Sequence, residues 1–464
     1  MVRTRTADRS SLSTSIWLTL LVAVGLACYV WVWPEAPIVD GDSPQYMEVA
    51  RDLTDFRLDE LHDRSPGYPL LVMLTGASTT PARPLFYASL LLHGLSIWLL
   101  ARLLSAAGVP TGWQIAFAFV ALLPPFVEPT GYLMTENLAQ TTLVVGLAAI
   151  ASWWSSRRSI WLGVSALALG YSAITRPAYQ GLGFVVAIVL FLLARSRAEK
   201  SISRRAATVA AGAVALGPLL MAGGLSVFNQ RHFGYFGVVP TLGFHLTTKT
   251  ILFIEQAPDE FADVRDVLVR ERAAELVKPG GLHDGSQTVW NARADLIRTT
   301  GLTTPQLSSR LLRMNLALVR HAPVPFLRDL VQSLARYWLP AAGALADFSR
   351  TALRALWLLL HVLVVGAFFL QLIGAFGLAL ARVTPKGATT DTRAPLVPSA
   401  AIARASYVLA GTIVLYTMAI TCLLDIGEPR QRRATDLLIL FMVVLGAHIW
   451  RQLASSHPAT SRAA

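Results

Sequence analysis

The sequence predicts an all-α integral membrane protein of about ten transmembrane helices, with juxtamembrane helices on the external side. Three observations carry this. The chain has 464 residues, of which 54% are hydrophobic and 15% charged, with a mean hydropathy of +0.51. Soluble domains carry about 25% charged residues, so charge is the depleted quantity. The apolar residues come in long uninterrupted runs, and about 20 helical residues cross the ~30 Å hydrocarbon core. Finally, basic residues collect in short polar breaks between the runs, as they do in cytoplasmic loops.

The first run follows Arg3, Arg5 and Arg9 and ends at Trp31, Trp33 and Pro34. A signal peptide has a shorter apolar stretch, 7–15 residues, before a small-residue cleavage site. This run is longer, and its tryptophans suit an interface belt. It is expected to be a retained first span over 14–33. Further spans are expected over 82–104, 112–128, 132–153, 159–174, 178–195, 206–228, 352–382, 405–424 and 435–451. The run 352–382 is long for one helix but too short for two spans and a turn, so it is read as one. Arg157, Arg158, "ARSRAEKSISRR", "ARVTPKGATTDTR", Arg451 and Arg462 then share one side with the N-terminus. Both termini are therefore expected in the cytoplasm.

Three regions follow. Residues 1–228 form an N-terminal transmembrane catalytic module with a first external loop over 34–81. Residues 229–350 form a large external loop, and 351–464 hold the C-terminal transmembrane helices. The large loop contains two amphipathic helices broken at Pro323 and Pro325. Thr304 is the expected cap of the first, with Pro305 at its first helical position. Leu307, Leu311, Met314 and Leu318 share one face, while Arg310, Arg313 and Arg320 can snorkel. Such a helix either packs on its neighbours or lies in the membrane interface beside a lipid.

The formal net charge of +12 does not point to nucleic acid, because no basic stripe is interleaved with exposed aromatics. Cys28 and Cys422 fall inside apolar runs and read as free thiols, with no metal or disulfide pattern. The nine histidines form no close ligand pair, and no nucleophile elbow or Walker loop is present. These absences argue against a zinc protease, a serine hydrolase and an ATPase. What remains is acid–base chemistry by carboxylates, with arginines to hold anions.

Four polar constellations lie on the expected external side. The first is "PIVDGDSPQYMEVARDL", with Asp40, Asp42, Tyr46 and Glu48; its blandest reading is that Asp42 or Ser43 caps the helix begun at Pro44. Asp40 and Asp42 also offer a divalent metal an Asp-x-Asp pair, but two carboxylates are too few to specify one, and no cofactor is assigned. The second is "DRSPGYP", where Arg64 is either a headgroup anchor or, beside a substrate, a bidentate phosphate ligand. The third is Glu136, a first-turn carboxylate with Thr135 as its expected cap. The fourth is "ITRPAYQ", with Arg176 and Pro177 between two spans. Charges near the interface cost less than charges at midplane, so position alone does not make these residues functional.

In order and spacing these residues resemble the GT-C superfamily of polytopic glycosyltransferases, in the branch of the protein O-mannosyltransferases and the lipid A aminoarabinose transferase. That family has an Asp four residues before a Tyr in its first external loop, matched by Asp42 and Tyr46, with Ala50 following. Its basic-Pro-Gly-Tyr-Pro segment is matched by Arg64, Pro66, Gly67, Tyr68 and Pro69, and its later motifs by Thr135-Glu136 and by Thr175-Arg176-Pro177. Near the C-terminus "GEPRQRRATD" offers Glu428 and Arg430, but Gln431 replaces the family's aromatic and the later proline is missing. The "FNQRHFGYFGVVPTLGFHL" stretch lacks the family's Gly-Gly-Asn pattern.

The resemblance implies a GT-C-like fold and an inverting membrane transferase. It would move a hexosyl or pentosyl unit from a polyprenyl-phosphate donor to a glycan, lipid or protein hydroxyl. Asp42 would be the general base and Arg64 the first phosphate ligand. Tyr46, Tyr68, Glu136, Arg176 and Arg430 would bind substrate, with Glu136 touching sugar or acceptor hydroxyls or orienting Arg64. Arg176 and Arg430 could equally be interface anchors. Abundant Ala, Leu and Arg hint at a GC-rich bacterium, hence its inner membrane. The rival class is a multipass transporter or flippase, which would place ionisable residues at midplane on broken helices of repeated halves.

Overall fold

The computed structural model describes residues 4–32, 36–57, 60–196, 202–277, 285–340, 351–383 and 398–455. Trp33, Pro34 and the basic stretches 197–201 and 384–397 lie outside the described residues. Among the described residues the chain is all-helical, with one isolated β-bridge between Ile38 and Tyr132. In chain order the helices are α1 (Thr4–Val32), α2 (Ser43–Thr54), α3 (Gly67–Leu74), α4 (Arg83–Ala106), α5 (Thr111–Ala121), α6 (Pro124–Val127), α7 (Glu136–Ser156), α8 (Ile160–Thr175), α9 (Leu182–Ala194) and α10 (Arg204–Phe233). Then come α11 (Leu242–Thr250), α12 (Ala262–Leu276), α13 (Thr288–Asn291), α14 (Arg293–Thr300), α15 (Thr304–His321) and α16 (Pro323–Tyr337). Last are α17 (Thr351–Val383), α18 (Pro398–Leu424), α19 (Pro429–Arg432) and α20 (Asp436–Ser455).

Eight helical stretches among the described residues are long and apolar enough to cross a membrane, and one bent pair would make nine. The short apolar α8 stands in the place of the expected 159–174 span. The run 352–382 is one helix, as its length requires. The expected span 112–128 is corrected: α5 and the Pro124–Gly131 stretch meet at 65°. Pro124 and Pro125 supply no backbone N–H, so preceding carbonyls lose their helical partners. Side chains of other spans replace them. His93 of α4 meets Ala121 O at 3.2 Å, and Tyr29 of α1 donates to Leu122 O at 2.9 Å. Such repair is what lets a broken helix exist at membrane depth.

The segment between α10 and α17 builds a core of its own from Phe244, Ile254, Val264, Leu268, Leu296 and the inner face of α15. Leu307, Leu311, Met314 and Leu318 are all fully buried in it, so α15 packs on its neighbours and is not an interface helix. Its cap is Thr303, one residue before the expected Thr304, in a capping box with Gln306. Arg310 does not snorkel but forks onto Asp263 at 2.6 and 2.8 Å. Buried Asn315 ties α15 to α11 by donating to Gly243 O at 3.1 Å and Thr247 Oγ1 at 2.9 Å.

The second amphipathic helix, α16, is turned the other way. Its buried face carries Asp329, Ser333 and Tyr337, while Val324, Leu327 and Val331 are 73%, 56% and 65% exposed. Lys249 of α11, wholly buried, pairs with Asp329 and donates to Ser333 Oγ at 2.6 Å. The next residue, Trp338, packs against Phe369 of α17 with ring centroids 4.8 Å apart. Polar side inward and apolar side outward is the arrangement expected of a helix solvated by lipid.

Candidate active site

Three contacts bring the first polar stretch to the end of the helix bundle where α7 begins and α8 stops. The β-bridge donates Ile38 N–H to Gly131 O at 2.8 Å and Leu133 N–H to Ile38 O at 3.0 Å. Ser43 Oγ donates to Leu133 O at 2.8 Å and accepts from Asp40 N–H at 2.9 Å. Neither Asp42 nor Ser43 caps α2 through its side chain, so the capping reading is corrected. Pro44 lies in the first turn of the helix, and the Asp42 carboxylate is left for other partners.

The second stretch is pinned to α8. Ser65 Oγ donates to Ile174 O, and Tyr171 Oη donates to Gly67 O at 2.6 Å. A Cβ on Gly67 would stand 2.5 Å from Ile174 O, so only glycine allows this approach. Arg64 is thereby held beside α2. Its Nη2 donates to Asp42 Oδ1 at 2.6 Å, its Nε donates to Gln45 Oε1 at 2.6 Å, and its guanidinium lies 5.4 Å from the Tyr46 ring centre. Tyr46 and Tyr68 meet edge to face at 5.2 Å, forming the aromatic floor beneath that arginine.

The other carboxylate oxygen of Asp42 faces the C-terminal polar stretch. Arg430 Nη2 donates to Asp42 Oδ2 at 3.2 Å, and Arg430 Nε lies 3.8 Å from Glu136 Oε1 and 3.7 Å from Glu428 Oε2. Glu136, 4% exposed, opens α7 without side-chain capping by Thr135, and its Oε1 lies 3.5 Å from Arg176 Nη1. Arg176 stands in extended backbone before Pro177, which ends α8. So Asp42, Arg64, Glu136, Arg176 and Arg430, scattered over most of the chain, form one connected cluster. Glu136 is joined to Arg176 and Arg430, and through Arg430 and Asp42 it is linked to Arg64.

The cluster is under-bonded. Arg176 Nη1 and Arg430 Nε, each only at ion-pair distance from Glu136 Oε1, and Glu136 Oε2 are buried without a hydrogen-bond partner. Leaving buried charged donors unbonded is costly, and an anion with several oxygens suits them. Both oxygens of Asp42 face guanidinium groups, and Asp40 is exposed.

Two neighbouring acidic residues are not among the candidates, although Asp63 opens the "DRSPGYP" motif. Asp425, just past α18, accepts from Ile426 N–H at 2.7 Å and Gln431 Nε2 at 3.0 Å, and His245 Nδ1 lies 3.3 Å away. Burial alone would raise the Asp425 carboxyl, but His245, Ile426 N–H and Gln431 outweigh it and hold it below the usual carboxylate range. Asp63 forms a forked pair with Arg293 at the start of α14.

No family model and no curated protein matches this sequence. Among solved structures, the chain is similar to the archaeal oligosaccharyltransferase AglB from Archaeoglobus fulgidus, in complex with an inhibitory peptide and a dolichol-phosphate, with a TM-score of 0.48 and 11% identity. That match covers 98% of this chain and 52% of the other, so the chain spans about half the length of AglB. It is also similar to ArnT from Cupriavidus metallidurans, in the apo state (TM-score 0.37, 14% identity, 94% of this chain and 78% of that one). For ArnT bound to undecaprenyl phosphate the TM-score is 0.35 and the identity 13%, over 95% of this chain and 79% of that one.

Proposed function

We propose that the chain is a GT-C-type membrane glycosyltransferase that moves a monosaccharide from a polyprenyl-phosphate donor to an acceptor hydroxyl on the external face. The observation that carries this reading is the under-bonded cluster of three arginines around Asp42 and Glu136 at the ends of spans. Nucleotide sugars are made and kept in the cytoplasm, so an external site needs a sugar already carried across on a lipid.

In the proposed reaction the acceptor oxygen attacks the sugar C1 while the bond from C1 to the phosphate oxygen breaks, and the configuration inverts. The electron pair leaves with polyprenyl phosphate, and the hydroxyl proton passes to Asp42 and then to solvent. Phosphate is a weakly basic leaving group, so cations suffice to stabilise it, and Arg64, Arg430 and Arg176 are the groups for this. Arg64 and Arg430 are shared between Asp42 and the incoming phosphate. A donor that draws them away leaves the carboxylate free to accept the proton. Glu136 holds Arg176 and Arg430 in place, while Tyr46 and Tyr68 form the wall below Arg64.

A transporter or flippase would need its charges along a path between helices. Here Glu136 begins a span, Arg176 follows the end of one and Arg430 precedes another. The test is release of undecaprenyl phosphate from an undecaprenyl-phosphate sugar by the purified protein, with and without cell-envelope acceptors. Movement of the lipid between leaflets without cleavage would favour the transporter.

A further inference from the structure

Two of the three arginines have an acidic side chain close to them in sequence that is gripped by the segment between α10 and α17. Asp63, immediately before Arg64, is held by both terminal nitrogens of Arg293; the longer contact is 3.2 Å. Arg293 also donates to Thr304 Oγ1 at 3.1 Å, and its guanidinium lies 5.8 Å from the Phe244 ring centre. Asp425, on the other side of the site, receives Thr248 Oγ1 at 3.3 Å and lies 3.3 Å from His245 Nδ1. Asp425 in turn accepts from Gln431, the residue after Arg430, at 3.0 Å. The same loop is seated from below: Gly427 has φ +73°, and a Cβ there would lie 2.4 Å from Ser333 O of α16. The left-handed backbone and the close approach both require glycine.

The two grips share a helix. Phe244, His245 and Thr248 all belong to α11, and Trp290 joins them, stacking on Phe244 at 5.3 Å and meeting His245 edge-on at 5.3 Å. Asp63 and Arg293 are 16% and 32% exposed, a forked pair partly shielded from water. A fork fixes direction as well as distance, which a single contact does not.

We infer that Arg293 and His245 are positioning residues: through Asp63 and Asp425 they aim Arg64 and Arg430 at Asp42, making α11 the brace between the two halves of the site. The reading of Arg64 and Arg430 as phosphate ligands rests on the proposed function; the bracing does not.

The test therefore has a readout without substrate. Wild type, Arg293→Ala, Arg293→Lys and His245→Ala, each purified in full length, are treated with p-hydroxyphenylglyoxal, and adduct rates at individual arginines are followed by mass spectrometry. Arg293→Ala should speed modification of Arg64 roughly tenfold, the scale set by losing one charge-assisted hydrogen bond. It should leave Arg430 within about twofold, well under that scale. His245→Ala should do the reverse, and Arg293→Lys should fall between wild type and alanine. Arg102, which donates to Ser15 on the far side of the chain, serves as the control for general loosening. Equal rates in all variants, or equal acceleration at Arg64, Arg430 and Arg102, would overturn the inference. In parallel, both alanine variants should lower kcat for undecaprenyl phosphate release by more than tenfold at unchanged yield and monodispersity, again more than one such bond. If the wild type releases no undecaprenyl phosphate, the proposed function falls while the adduct rates still decide the bracing.

Discussion

Replacing Asp42 by asparagine separates a reaction-centre carboxylate from a surface strut. In the structure Asp42 accepts one guanidinium on each oxygen, at 2.6 Å from Arg64 and 3.2 Å from Arg430. Its side chain is 27% exposed, so solvent screens both pairs. Pairs at such sites contribute about 0.2–1 kcal/mol each. Asparagine keeps one oxygen and the size of the side chain, so the melting temperature should fall by no more than a few degrees. Loss of a general base costs roughly 10²–10⁴-fold in rate, or about 2.7–5.4 kcal/mol of barrier. The chemical effect should therefore exceed the stability effect several-fold. The assay is release of undecaprenyl phosphate and appearance of glycosylated acceptor, with donor binding measured separately. A base predicts a collapse of kcat at nearly unchanged donor affinity, whereas a strut for the arginines predicts weakened donor binding. Asp40→Asn, whose carboxylate is exposed, should cost far less. An Asp42→Asn protein that keeps more than about a tenth of wild-type kcat lies outside the general-base range and would refute the assignment.

Four further outcomes are expected. Arg64→Ala should impair donor use more than Arg64→Lys, which keeps the charge but loses the fork; wild-type turnover by the alanine variant would make Arg64 an anchor only. In a cysteine-free background, Thr299→Cys should react with an impermeant thiol reagent in whole cells and Ser155→Cys should not, and the reverse pattern would invert the orientation. A fluorophore on Leu327→Cys should be quenched by brominated lipids in nanodiscs while one on Asp266→Cys is not; equal responses would remove α16 from the membrane surface. Asp425 is held below the ordinary carboxylate range, so it stabilises the fold at pH values above its unfolded pKa, and this contribution disappears as pH falls through the lower folded value. The melting-temperature gap between wild type and Asp425→Asn should accordingly be wide at neutral pH and shrink below about pH 3.8, the ordinary carboxylate value. A gap independent of pH would deny the charge its role.

What could be read from the sequence was what is encoded locally. Apolar length located the long spans, including α17 as one helix, and the helical spacing of Leu307, Leu311, Met314 and Leu318 correctly marked a buried face. The break before Pro124 was missed because run length counts hydrophobicity and ignores two consecutive prolines. For α15 and α16 the same amphipathic pattern fits opposite environments. Periodicity says that two faces differ, not which of them meets protein and which meets lipid. The burial of Asp329 and Ser333 against Lys249, with Val324, Leu327 and Val331 exposed, shows that α16 turns its polar side inward.

The site divides along the same line. Asp42, Arg64 and Glu136 stood in short motifs whose order could be read, so their gathering could be expected, but their pairing could not. Arg176 and Arg430 each looked as much like an interface anchor as a ligand, because an isolated arginine at a span end serves either purpose. The structure adds a contact over 388 positions, from Arg430 to Asp42, and one over 230, from Arg293 to Asp63. Contacts at such separations follow from how the helices pack, and no local pattern encodes them. Arg293 therefore lay outside every motif, and His245 stood unremarked in the "FNQRHFGYFGVVPTLGFHL" stretch, although each grips an acidic residue close to a site arginine. If α11 is the brace, then substitutions in the 229–350 segment that leave its core of Phe244, Val264 and Leu311 intact should still impair the cluster whenever they free Asp63 or Asp425. The converse also follows: substitutions of the same size on the exposed face of α12, such as Arg270→Ala, should leave the cluster and its chemistry unchanged.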